Sequence, residues 1–276
     1  MKLRTLGIAL LGTVGLTALS ACKQESPPAP VPAEPPARTQ DAAAEGSAAE
    51  ASPEPEPLTG GGTVQGTITF KGTPPTPAPI TPSQDPACQG MPPADQSLQV
   101  KAGKLENVLV RVRGLMPLSP RTRPAVVDQK QCSYTPRVQG VAVGQPILIK
   151  NSDGTLHNAR AIAGTRSIFN VAQPPRGKPV QRTLPAEAEV VRLKCDIHPW
   201  MVSWVVVNPN PYFATSNADG AYTIEHLPAG TYTLEAWHEV LGTKTAEITV
   251  KEGETTALAF EFSAEDAKGS ASSAVK

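Results

Sequence analysis

Val191-Arg192-Leu193-Lys194-Cys195-Asp196-Ile197-His198-Pro199-Trp200-Met201-Val202 decides how the rest of the chain is read. Val191, Leu193 and Cys195 alternate with Arg192 and Lys194, the period of two expected of a strand with one buried face. A thiol, an imidazole and a thioether then follow in the spacing C-x2-H-x2-M, all within seven residues. A further apolar run, Met201 to Val207, starts where these donors end. The three therefore share one tight loop between two strands.

Working outward, the same alternation recurs at 63–70, 107–113, 145–150, 189–194, 201–207, 232–237 and 247–250, separated by Pro and Gly clusters. No segment keeps a helical apolar period, so the fold class is all-β. The two ends read differently. Met1-Lys2-Leu3-Arg4 and the apolar run Leu6 to Leu19 lead into Leu19-Ser20-Ala21-Cys22, small residues before a cysteine. The run is too short for a membrane span. It resembles a bacterial lipobox, which implies a signal peptide over 1–21, lipidation at Cys22, and a periplasmic protein held to the membrane by its anchor alone. Lys23 at the next position favours the outer membrane. Residues 22–60 are Pro, Ala, Glu and Ser, unable to bury enough surface to offset ordering, and read as a tether reaching on the order of 100 Å at about 3.1 Å per residue. A loose tail is expected over 263–276.

Cys88 and Cys132 stand in polar, loop-like settings. In an oxidising compartment the plain reading is a disulfide between them, stabilising the fold by roughly 4 kcal/mol in the chain-entropy model. Two separate buried thiols are the alternative. Cys195 is then left over, and an unpaired thiol in that compartment oxidises unless something occupies it.

Thiolate, imidazole and a long axial thioether form the donor set of a blue-copper centre, which needs a second imidazole. Among His157, His226 and His238, the first follows the strand Ile147 to Lys150 and is followed by Asn158; the other two read as structural or solvent-facing. His157-Asn158 with Cys195-x2-His198-x2-Met201 resembles the cupredoxins, and its short spacing is most similar to amicyanin. The resemblance implies a Greek-key sandwich holding one copper ion, Cu(I)/Cu(II). Cys195, His157 and His198 would be equatorial ligands, Met201 the axial one, and Asn158 the residue tying the two ligand loops together. His198 and Trp200 would be the electron port, stiffened by Pro199. The competing reading is a metal-free sandwich with Cys195 in the core and His198 capping a turn.

From Tyr212 the pattern changes to short strands with an Asp219-Gly220 turn and a Leu227-Pro228-Ala229-Gly230 turn. This resembles the carboxypeptidase regulatory-like domain, a small transthyretin-like β-sandwich, over 212–262. The expected division is a copper domain over 61–208 and the regulatory-like domain over 209–262. The strand at 63–72 is open to either. Arg137 stands where related copper proteins suggest a histidine.

Charge is uneven. Between Leu98 and Asn208, sixteen Lys and Arg face six Asp and Glu; residues 23–97 carry three against nine, and 209–276 four against ten. Such a distribution suits steering toward an acidic redox partner, for example a c-type cytochrome, or else internal neutralisation. Arg160, Arg166, Arg192 and Lys194 are the cations nearest the ligand loops. Export argues against nucleic acid. With four histidines in all, the sites of a copper oxidase cannot be assembled, so a non-enzymatic electron carrier is expected. The alternatives are a copper carrier or buffer at the outer membrane, and a metal-free adhesion or carbohydrate-contact module.

Overall fold

The computed structural model describes residues 59–81, 83–92, 94–114 and 123–267. The expected leader over 1–21 and the lipidation site Cys22 lie outside these residues, as do all of the tether but 59–60 and all of the tail beyond 267.

Strands make up two β-sandwiches, each around its own apolar cluster. The central sandwich has a five-stranded sheet ordered Arg166–Gln173, His157–Ala163, Val190–Lys194, Val202–Asn208 and Val138–Ala142. A four-stranded sheet ordered Val180–Thr183, Pro146–Asn151, Ala125–Lys130 and Ser133–Thr135 faces it. Its core holds Val127, Ile147, Ile149, Val191, Leu193 and Val205, all fully buried. The alternation read from the sequence is what fills it: Val191 and Leu193 point inward, while Arg192 between them is exposed.

The second sandwich takes strands from both sides of the first in sequence. Gly62–Lys71 runs antiparallel to Ala221–Leu227 and parallel to Thr255–Ala257 and Phe260–Ser263. Leu109–Val112 lies between Phe213–Thr215 and Gly230–His238, and Gly242–Val250 completes that sheet. Of the two readings left open for the strand at 63–72, the sheets follow the one in which it completes the C-terminal sandwich. All paired strands before residue 114 belong to the second sandwich, and the central one, starting near residue 123, is inserted into it. The cause is apolar burial. Ile68, Phe70, Leu105, Val110 and Val112 share one cluster with Tyr222, Ile224, Leu234 and Phe262. Alternation alone does not say which sheet a strand joins.

A smaller cluster joins the sandwiches: Leu109, Val138 and Val206 are buried against Val190, Trp204, Phe213 and Trp237. Gly140 is required there, because a Cβ at that position would lie 2.3 Å from Phe213 Cδ2. Arg111 bonds Glu235 of its own sandwich and Glu189 of the other. Arg137 bonds Glu239 across the seam through Nε at 2.5 Å and Nη2 at 2.8 Å. The tail does not loosen at Ser263 as expected. Ala264–Ala267 form a helical turn, with Asp266 accepting from Ser263 N at 2.6 Å and pairing with Lys244 at 3.1 Å.

Candidate metal centre

The loop from Cys195 to Met201 closes between antiparallel strands Val190–Lys194 and Val202–Asn208, which register Lys194 opposite Val202. Cys195 N donates to Met201 O at 3.2 Å and Met201 N to His198 O at 2.9 Å. On its other edge Val190–Lys194 pairs with His157–Ala163, Lys194 opposite Arg160. Sheet register thus brings His157 to the end from which Cys195 emerges. His157 opens its strand rather than lying in the preceding loop.

The side chains converge. One donor atom each from His157, Cys195 and His198 lie within 4.8 Å of one another. The two Nδ1 atoms are 2.9 Å apart, and Cys195 Sγ is 3.7 Å from His198 Nδ1. His157, His198, Cys195 and Met201 are 0 %, 1 %, 1 % and 1 % exposed. Asn158 ties the ligand loops: its Oδ1 accepts from Asp196 N at 2.7 Å and lies 3.4 Å from Cys195 Sγ. Its backbone oxygen accepts from Tyr134 Oη at 2.5 Å.

Each histidine also has a carboxylate on its far nitrogen. His157 Nε2 is 2.9 Å from Asp153 Oδ2, and His198 Nε2 is 3.2 Å from Asp85 Oδ2. An ionised carboxylate only accepts, so each Nε2 carries a proton. In a neutral ring that leaves Nδ1 as a lone pair. Two such lone pairs, 2.9 Å apart and walled in, repel unless a proton or a metal cation lies between them. Metal–nitrogen bonds of about 2.0 Å and metal–sulfur bonds of about 2.3 Å set donors about 3–4 Å apart around one ion, close to the spacing here. The residues fit a soft or borderline cation.

Charge at the site points the same way. Burial pushes the Cys195 thiol up, but bonds from His157 and the backbone of Asn158, His198 and Ile197 outweigh it and hold it below its ordinary value. Burial lowers His157, yet its bonds to Cys195 and Asp153 raise it overall. His198 is lowered, by burial and then by His157. The shifts at Cys195 and His198 both ease the loss of protons that metal binding requires of a thiol and an imidazole.

Cys88 and Cys132 form a disulfide, with Cα atoms 5.6 Å apart, and Cys88 Sγ lies 3.6 Å from His198 Nε2. The His198 ring is nearly buried, with Asp85 and the disulfide beside its Nε2. Trp200 is partly exposed beside it, ring centroid 5.3 Å from that of His198, its Nε1 donating to Cys132 O at 2.9 Å. The cations near the loops are engaged within the chain. Arg160 and Lys194 pair with Asp196, Arg166 with Glu187, and Arg192 lies over Trp204. His226 and His238 stand apart from the cluster. His226 is exposed, with Nδ1 3.1 Å from Gly60 O, and buried His238 accepts from Val240 N and Leu241 N.

Sequence reasoning missed Asp85 and Asp153. Asp153, four residues before His157 in a turn, was within reach of local inspection. Asp85 is far from His198 in sequence, and only its nearness to Cys88 hinted at its place.

Residues 205–263 match the family model of the carboxypeptidase regulatory-like domain. Solved structures with similarity to the chain include a purple cupredoxin from Nitrosopumilus maritimus, 25% identical, covering 30% of this chain and 99% of that one at a TM-score of 0.27. An amicyanin variant in its Cu(I) state is 21% identical, covering 36% of this chain and 98% of that one at 0.28. A copper-containing nitrite reductase from Thermus scotoductus is 21% identical, covering 42% and 27% at 0.27. TM-scores this low carry no weight for function. The comparison with curated proteins gave no match.

Proposed function

We propose that this chain is a one-electron carrier that holds a single copper ion through His157, Cys195, His198 and Met201. The observation that carries the reading is the convergence of both Nδ1 atoms and the Cys195 sulfur, all buried, within one small cluster. A bound copper would supply the chemistry by alternating between Cu(II) and Cu(I). The chain's own residues do the rest. Register pairs hold the ligand loops, Asn158 ties them together, and burial excludes water and limits rearrangement on electron gain or loss. Fully enclosed ligands suit an electron carrier better than a copper-delivery protein, which must release its ion. No catalytic role is proposed. The carboxypeptidase regulatory-like module gives support through the arginine-laced seam. The protein is further proposed to be an exported lipoprotein, anchored at Cys22 to the outer membrane, whose partner is an acidic redox protein. Trp200, partly exposed beside the nearly buried His198 ring, is the exit on this side.

The test loads purified protein with copper, cycles it with a mild reductant and oxidant, and challenges it with a chelator. One ion per chain, retained through repeated cycles, is the expected result. Rapid transfer of copper to the chelator in either state would replace electron carriage with copper delivery.

A further inference from the structure

Both carboxylates behind the histidines are held by bonds from other parts of the chain: Asp153 by the turn at Gln131 and Cys132, and Asp85 by Thr155. Asp153 Oδ1 accepts from Gln131 N at 2.7 Å and Oδ2 from Cys132 N at 2.9 Å. Gln131 and Cys132 form the two-residue turn between Ala125–Lys130 and Ser133–Thr135, with φ of 54° and 52°. Positive φ at both central positions normally calls for Asn-Gly. Here two ordinary residues adopt it, and their N–H groups converge on one carboxylate, a backbone nest for an anion. The same Oδ2 is the one 2.9 Å from His157 Nε2.

Asp85 is held differently, as the N-cap of the short helical turn that follows it and by one distant hydroxyl. Its Oδ1 accepts from Ala87 N at 2.9 Å, its backbone oxygen from Cys88 N at 2.9 Å, and its Oδ2 from Thr155 Oγ1 at 2.5 Å. Oδ2 is again the atom facing the ring, 3.2 Å from His198 Nε2. The short helical turn Pro86–Cys88 that follows ends in the disulfide to Cys132, within the turn that holds Asp153. One covalent link therefore joins the two carboxylate mounts.

We propose that Asp85 and Asp153 are paired positioning residues, one per imidazole, that lock both rings with Nδ1 toward Cys195, and that the Cys88–Cys132 disulfide is the clasp keeping Asp85 in reach of His198. An acceptor on Nε2 fixes the tautomer and the ring plane, so each histidine is oriented before any ion arrives. The clasp matters more for Asp85. Among the described residues of its segment, the pairing is one bridge between Pro79 and Ala94 and one turn of 3-10 helix. Asp153 stays in its nest without help. The inference deepens the copper reading and rests on it for its purpose, but the ring orientation it claims can be read without copper.

Nitrogen-15 NMR of the histidine rings in full-length, metal-free protein tests it directly. His198 is expected as the Nε2–H tautomer. Asp85→Ala should turn that signal into a mixture of tautomers, while Asp85→Asn, which keeps an oxygen acceptor, preserves it. Cys88→Ala with Cys132→Ala should reproduce the Asp85→Ala result at His198 and leave His157 unchanged. In parallel, chelator competition should show Cu(II) affinity lowered about 10- to 100-fold in Asp85→Ala and Asp153→Ala. Unchanged tautomers and affinity in both alanine variants, even with lower stability, would reduce the carboxylates to structural roles and overturn the proposal. An unaltered His198 signal in the double-cysteine variant would overturn the clasp. Failure of the copper reading shows separately, as wild-type protein that takes up no copper whatever its tautomers.

Discussion

At the seam between the sandwiches, the buried charges end on charges of opposite sign. The Arg111 side chain is 5% exposed and meets Glu235 and Glu189, and Arg137 meets Glu239. At the ligand end of the central sandwich, equally buried polar atoms meet others of their own kind: one Nδ1 lone pair faces another, beside a sulfur. Both clusters carry the cost of taking polar groups out of water. The first is complete within the chain and serves to fix the two sandwiches. The second needs a proton or a metal cation between its nitrogens. A buried polar cluster whose valences close is structure, and one whose lone pairs converge is a site.

The contrast breaks most visibly at the seam. Arg111→Ala leaves buried Glu235 with only the longer contact to half-exposed Arg113, 3.5 Å away, and should lower unfolding free energy by about 2–3 kcal/mol in urea titrations. Because the seam is closed in itself, the fraction still folded should bind copper as wild type does. A variant of full stability, or one that loses copper while folded, would erase the distinction.

A smaller effect lies at His238, whose Nδ1 accepts from Val240 N and Leu241 N and whose Nε2 has no partner among the described residues. Burial, then Arg137, pushes its pKa down from 6.5 to about 4. The folded form therefore binds fewer protons than the unfolded one between these values. Its contribution is complete above pH 6.5 and is lost as pH falls toward 4, by up to about 3 kcal/mol. His238→Gln should flatten that slope in unfolding measured across the range. An unchanged slope would assign the acid sensitivity to other groups.

Much of the site was legible because its signals are local. Cys195, His198 and Met201 stand within seven residues on a loop whose flanking alternation is plain, and a strand exit marked His157. What stayed hidden depended on long-range packing. Gly62–Lys71 and Leu109–Val112 alternate as well as any strand, yet only the packing of Ile68, Val110 and Phe262 into one cluster assigns them to the outer sandwich. The carboxylate beside His198 comes from Asp85, in a segment linked by the Cys88–Cys132 disulfide to a loop 44 residues away. Arg137 showed in the sequence only as a departure. Its partner Glu239 lies in the other module, where no local pattern points.

The most direct test of the central claim is the visible absorption of the copper-loaded protein. Cu(II) added to wild type should produce an intense thiolate-to-copper band saturating at one ion per chain. Cys195→Ser should abolish it, while His226→Ala and His238→Ala leave it intact. An absent band in wild type, or a band that survives in Cys195→Ser, would contradict the assignment of this cluster as a copper centre.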